Sequence, residues 1–293
     1  MKLRCAFIAL ALVAGLGLSA APAGAYGINP DSAAVIGKSE GAMSPKRTSV
    51  SYGARVAETT LGNFVSDALR MQSGATVAVI QGGHLVQSLP GGEITVGAAY
   101  QVFEENLLVG VAEIPASLFF EVLEHAVGYI AMDEAERIDP ESGFDGFLQI
   151  SGFCFTYDAS QPAGERIREV VLDNGPGLSP LDGGKILLAA PEDLLAGALG
   201  FEMLRGVAYA PVGTEVELLA AYIAGHGGEI RRPKTGRIEV VGTADNSIYR
   251  NLHGEKYLPY LILIALFIAL PRQRYRRHGA SNPRSKYFLW RGQ

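Results

Sequence analysis

Apolar residues at 61, 64, 65, 68 and 69 recur at helical spacing and predict a helix over Thr60–Met71, capped by Thr59 or Thr60. A second such face, at Leu118, Phe119, Val122, Leu123 and Ala126, predicts a helix over Ala116–Val127 with Pro115 at its start. Glu215–Ala224 is a third helix, and the Gly225-His226-Gly227-Gly228 run ends it. Between them lie short β-branched and aromatic runs. Thr76–Ile80 stops at Gly82-Gly83, Ile94–Val96 and Leu107–Ala112 follow, and then Ile186–Ala190 and Arg237–Val241. Phe147–Ile150, Phe153–Tyr157 and Ile167–Leu172 read as antiparallel strands joined by turns. Residues 26–50 are rich in Gly, Ser, Pro and Ala without sustained periodicity, which predicts a linker or loosely docked arm. This order implies an α+β domain, a mixed β-sheet with packed helices, over residues 51–242, about 190 residues in all.

The two ends carry a different pattern. Residues 1–25 have a basic start, an apolar run from Ala6 to Leu18, and Pro22-Ala23-Gly24-Ala25 as a small-x-small site, the layout of a cleaved signal peptide. An uncleaved anchor helix is the other reading. The charge-free run between Tyr257 and Pro271 is short for a bilayer span, which takes about 17–25 residues. A buried core helix is its alternative. Tyr257 and Tyr260 at an interface, and a tail at 272–293 with seven basic residues and no acid, favour a transmembrane anchor at 257–271 after a linker at 243–256. The expected location is an exported domain held at the cytoplasmic membrane, with the tail inside.

Charge sharpens this layout. The net charge of −5 hides a middle with 16 basic and 30 acidic residues, a net of −14. Such a body repels phosphate backbones, so nucleic acid is not an expected partner. Cys154 is the only cysteine beyond the signal sequence, and its apolar neighbours suggest a core residue.

The run Glu58-Thr59-Thr60-Leu61-Gly62-Asn63-Phe64-Val65-Ser66-Asp67-Ala68-Leu69-Arg70 resembles the C-terminal domain of the 5′-nucleotidase family. Val79–Gly83, Pro90–Thr95, Leu123–Val127, Gly146–Gly152, Tyr157-Asp158, Pro162–Ile167 and Gly236–Ile238 resemble the same domain, in the same order, across roughly residues 50–241. The resemblance implies a two-domain exported enzyme. Its N-terminal metallophosphoesterase domain holds two divalent metals. Its C-terminal domain stacks a base between two aromatic rings and contacts polar groups with Arg, Asn and Asp. No Asp-x-His or Gly-Asn-His-Glu run occurs here, so neither metal nor cofactor is expected in this chain. His226 is expected to cap a helix rather than bind metal, and His125 to sit on a helix surface or core edge.

The ligand positions also depart from the family. Where the family has Asn-Gly-Gly-Gly-Ile-Arg, this chain has Gln81-Gly82-Gly83-His84-Leu85-Val86, and Val86 cannot hold a phosphate as an arginine does. Pro-Phe-Gly-Asn becomes Phe103-Glu104-Glu105-Asn106, which puts Glu104 at the first stacking ring. Asp193 takes the place of the second ring and Leu199 that of the ligand-binding aspartate. Candidate ligand contacts that remain are Arg55, Gln81, Gly82, Gly83, Phe103 and Asn106. Arg55 is alternatively a solvated strand-end residue, and Asn106 a turn or strand-start residue. Convergence of Glu104-Glu105 with Glu192-Asp193 as an acid–base pair is a further, weaker reading. Three functions fit the pattern: a degenerate nucleotide- or nucleoside-binding accessory module, the substrate-binding half of a hydrolase whose metal domain is a separate chain, and a structural envelope protein without a small ligand.

Overall fold

A computed structural model describes residues 29, 31–46, 53–173, 175 and 177–244. Signal sequence, anchor and basic tail fall outside the described residues, as does the 243–256 linker beyond Ala244. Among the described residues no helix is long and apolar enough to cross a membrane. The contacts divide the chain after Ala244, and every described residue lies in the first unit.

The chain runs β1 (Val35–Ser39), α1 (Thr60–Ser73), β2 (Val77–Gln81), β3 (Gly92–Thr95), α2 (Val96–Tyr100), β4 (Leu108–Pro115), α3 (Ala116–Gly128) and β5 (Leu148–Ser151). It continues with β6 (Phe153–Asp158), β7 (Ile167–Leu172), β8 (Gly177–Leu178), β9 (Lys185–Pro191), α4 (Glu192–Leu195), β10 (Tyr209–Thr214), α5 (Glu215–Gly225), β11 (Glu229–Ile230) and β12 (Ile238–Val241). The fold is mixed α+β, as the pattern implies. Its centre is a five-stranded sheet in the order β10-β4-β9-β2-β5, with only β2 and β9 parallel to each other.

That sheet divides two cores. Val77 and Val79 of β2 face one, with Phe119, Val122 and Leu123 of α3. Ala78 and Ile80 face the other, with Leu61, Phe64 and Leu69 of α1 and Leu219 of α5. Covering on both faces explains why β2 is a continuous apolar run rather than an alternating one. Thr59 caps α1 by accepting the Gly62 N–H at 3.0 Å, and Gly74 ends the helix at φ 71°.

Two expectations are corrected. The segment read as a linker contains β1, which pairs with β3 and β11 in a three-stranded sheet, and Met43 beyond it is fully buried. Sheet pairing and one anchoring side chain suffice to dock a segment whose composition lacks periodicity. Of the strands read as antiparallel and joined by turns, β6 and β7 pair so, but β5 does not pair with β6. β5 pairs with β2, whereas β6 joins β7, β8 and β12 in a separate four-stranded sheet. Gly152, at φ 90°, makes the corner between them.

Gln149 of β5 fastens the approach to α1. It is fully buried, and its Nε2 donates to the carbonyls of Ala54 and Ala57, each at 2.9 Å. Its Oε1 accepts the Thr59 N–H at 2.9 Å. A side chain at Gly62 would collide with this amide. Replacing Gln149 with Leu strands three buried backbone groups and is expected to cost about 3 kcal/mol, read from the midpoint of urea unfolding against wild type.

Candidate functional site

The C-terminal end of β2 delivers Gln81 into a tight turn at Gly82–His84. A side chain on Gly82 would collide with the Ala54 carbonyl, so only glycine fits there. Both glycine N–H groups are already used. Gly82 donates to the Phe147 carbonyl at 2.7 Å and Gly83 to the Asp145 carbonyl at 2.9 Å. The turn therefore offers no backbone cradle for an anion.

His84 is 7% exposed and its Nε2 lies 2.9 Å from Oε2 of Glu215, which is fully buried at the first position of α5. The same Oε2 accepts the Leu107 N–H at 3.1 Å. Burial would lower the pKa of His84. The hydrogen bond to Glu215 and the charges of Glu215, Asp193 and Glu104 outweigh it, and the net direction is upward. Burial also raises the pKa of Glu215, against the pull of His84. The two groups are coupled through this contact, so the titration of each depends on the other.

Asp193, the second residue of the short helix α4, receives the Gln81 Nε2 at 3.1 and 2.9 Å on its two oxygens. Glu104 is exposed, and its N–H binds the His84 carbonyl at 3.1 Å. Gln81, His84, Glu104, Asp193 and Glu215 thus form one acidic cluster around one imidazole. Gln81 Oε1 and Glu215 Oε1 are buried there without a hydrogen-bond partner among the described residues.

The other sequence candidates separate into pocket and scaffold. Arg55 neighbours the glycine turn, but its Nε is 2.6 Å from Asp145 and both side chains are about half exposed. It is a surface turn residue already paired with an acid. Phe103 is 4% exposed within a core cluster, 5.9 Å from the His84 ring, so it is packing rather than a stacking platform. Asn106 Oδ1 accepts the Val216 N–H at 3.2 Å and so serves the first turn of α5. Val86 is exposed at the rim, and Glu105 is exposed beside Glu104. Leu199 holds φ 54°, a conformation that an L side chain other than Asn or Asp seldom adopts. Its carbonyl is 2.9 Å from His125 Nε2, and the His125 ring packs 4.5 Å from Phe201. His226 caps α5 with Nδ1 2.9 Å from the Tyr222 carbonyl, as its glycine-rich context predicts. Glu215 is the residue that sequence reasoning missed. Its only signal is an acid at a helix start, and most such acids are solvated.

Comparison with known proteins follows from this architecture. Residues 35–205 match the family model described as 5′-nucleotidase, C-terminal domain. The chain belongs to the 5′-nucleotidase family through this domain. The trifunctional nucleotide phosphoesterase protein YfkN of Bacillus subtilis (strain 168) is 27% identical over 127 residues, covering 42% of this chain and 8% of that one. The 5′-nucleotidase precursor of Thermus thermophilus superposes with a TM-score of 0.59 at 27% identity, over 71% of this chain and 40% of that one. The NAD nucleotidase NadN of Haemophilus influenzae shares the fold, with a TM-score of 0.56 at 14% identity over 70% of this chain and 38% of that one. The nucleotidase-like domain thus spans well under half of these longer relatives. Among its described residues, no three His, Cys, Asp or Glu side chains are grouped to hold a metal ion.

The raised His84 value has a consequence for stability. Between the ordinary imidazole value of 6.5 and the higher folded value, the folded protein binds more protons than the unfolded chain. His84's contribution is therefore complete below pH 6.5 and is lost as pH rises through the folded value. Glu215→Gln removes the anion but keeps an acceptor for Leu107. Urea unfolding across pH 6–9 should show wild-type stability falling by on the order of 1 kcal/mol as pH rises through the folded His84 value, and the variant nearly flat.

Proposed function

We propose that this chain is an accessory module of nucleotide breakdown that is not itself hydrolytic, and that its remodelled pocket takes an uncharged nucleoside rather than a nucleotide. The observation that carries this reading is the excess of acceptors. Glu104, Asp193 and Glu215 lie around His84, Oε1 of Glu215 and Oε1 of Gln81 find no donor among the described residues, and the nearby cation Arg55 is tied to Asp145. Such a site suits ligand hydroxyl and amine groups, which donate, and opposes a phosphate. Val86, exposed where the family resemblance places an arginine, adds no positive charge.

The sequence supports an exported location, with the domain held at the membrane by the apolar run at 257–271 and the basic tail inside. There it would receive the nucleoside released by a separately encoded metallophosphoesterase. A substrate-binding half serving that partner directly is the second reading, and family membership favours it.

Isothermal titration separates these readings. Adenosine is expected to bind the purified full chain about tenfold tighter than adenosine monophosphate, or more, the cost of placing one phosphate among carboxylates. Tighter binding of the monophosphate would favour the substrate-binding half. Failure of a panel of nucleosides to bind would leave a structural envelope role.

A further inference from the structure

A cavity of about 550 Å³ lies away from the residues above. Its walls come from α1, α5, β6 and the segment between β11 and β12. This volume is within the usual range for small-molecule sites. Its chemistry is opposite to that of the acidic cluster around His84. Five cationic side chains line it, against the two carboxylates of Asp67 and Asp173.

Two of the cations are built into the wall. Arg237 makes a double hydrogen bond to Asp67, 2.8 Å to each oxygen, and donates to the Ile150 carbonyl at 2.8 Å. Arg70 is fixed through Nε to Ser151 Oγ at 2.8 Å, and its two terminal nitrogens make no hydrogen bond among the described residues. The segment carrying the others is tied down by Glu58, which accepts the N–H groups of Gly236 at 2.7 Å and Arg237 at 2.9 Å. On that segment Arg231 and Lys234 are exposed and pair with no acid among the described residues. Arg232 lies 3.9 Å from Glu40, a loose contact.

The floor is aromatic. Phe64 and Tyr222 have ring centroids 5.3 Å apart, and His226 meets Tyr222 edge-on at 4.6 Å. The Tyr222 hydroxyl makes no hydrogen bond among the described residues, while burial and the Asp67 charge push its pKa up to about 12. It therefore stays protonated and able to donate.

We propose that this cavity is a binding site for a small aromatic organic anion, of the aryl phosphate or phosphonate class. The planar ring lies against Tyr222 and His226, with buried Phe64 packed behind them, and the anionic group meets Arg70, Arg231 and Lys234. In a body with a net of −14, an isolated cationic cavity concentrates anions that the rest of the surface repels. Arginine presents paired donors matched to a phosphoryl group, and the aromatic floor adds selectivity for a ring.

Phenylphosphonate is the probe, because it carries both features and is not hydrolysed. Calorimetric titration of the full chain, with the Tyr222 and His226 ring signals followed by NMR, should show saturable binding tighter than that of inorganic phosphate or benzyl alcohol. Combining Arg231→Ala with Lys234→Ala should weaken it by about tenfold. Combining Arg168→Ala with Lys185→Ala removes two exposed cations elsewhere and should leave it unchanged. The proposal is overturned if inorganic phosphate binds as tightly as phenylphosphonate, if the ring signals of Tyr222 and His226 do not move, or if the two double variants behave alike.

Discussion

A carboxylate with no solvent exposure constrains the acidic pocket. Glu215 sits at the first turn of α5, where the helix dipole favours an anion, but burial opposes its charge. The surrounding chain answers both demands. His84 supplies a proton-bearing partner, Leu107 supplies an N–H, and Asn106 serves the neighbouring Val216 N–H. Thr214 and Glu217 complete the same helix start as a reciprocal cap. The glycine turn must then hold His84 inward, which is why Gly82 lies flat against the Ala54 carbonyl.

The consequence for chemistry is that groups able to greet a ligand are already engaged with protein. Gln81 holds Asp193, Asn106 holds α5, Arg55 holds Asp145, and the two glycine N–H groups hold the chain before β5. What remains is a surplus of acceptors. The nucleotidase scaffold persists around this change because its fastening points, Gln149 on the approach to α1 and the Asp67–Arg237 pair on its other side, lie outside the altered positions.

Much of the fold was legible because its helices are amphipathic and its central strands are continuous apolar runs. α1 and α3 were visible from their spacing, and β2 and β9 from β-branched or aliphatic stretches. β1 and β10 were not, since Gly, Pro and small polar residues interrupt their short apolar runs and their order comes from sheet neighbours. At the site, the substitutions at Val86, Glu104 and Asp193 were legible by position against the family pattern. Their partners were not. Nothing local ties His84 to Glu215, which is 131 residues away, or Gln81 to Asp193 at a separation of 112. Phe103 shows the converse difficulty, because a motif position alone cannot tell a ring that packs into a core from one that faces a ligand.

His84 is the buried group at the centre of the cluster, and the neighbouring carboxylates raise its pKa against the effect of burial. The most direct measurement is an NMR titration of the His84 ring in the ligand-free protein. A midpoint above the ordinary 6.5 is predicted, because Glu215, Asp193 and Glu104 outweigh burial. A midpoint at or below 6.5 would contradict it, and with it the description of the pocket as an acidic cluster closed to phosphate.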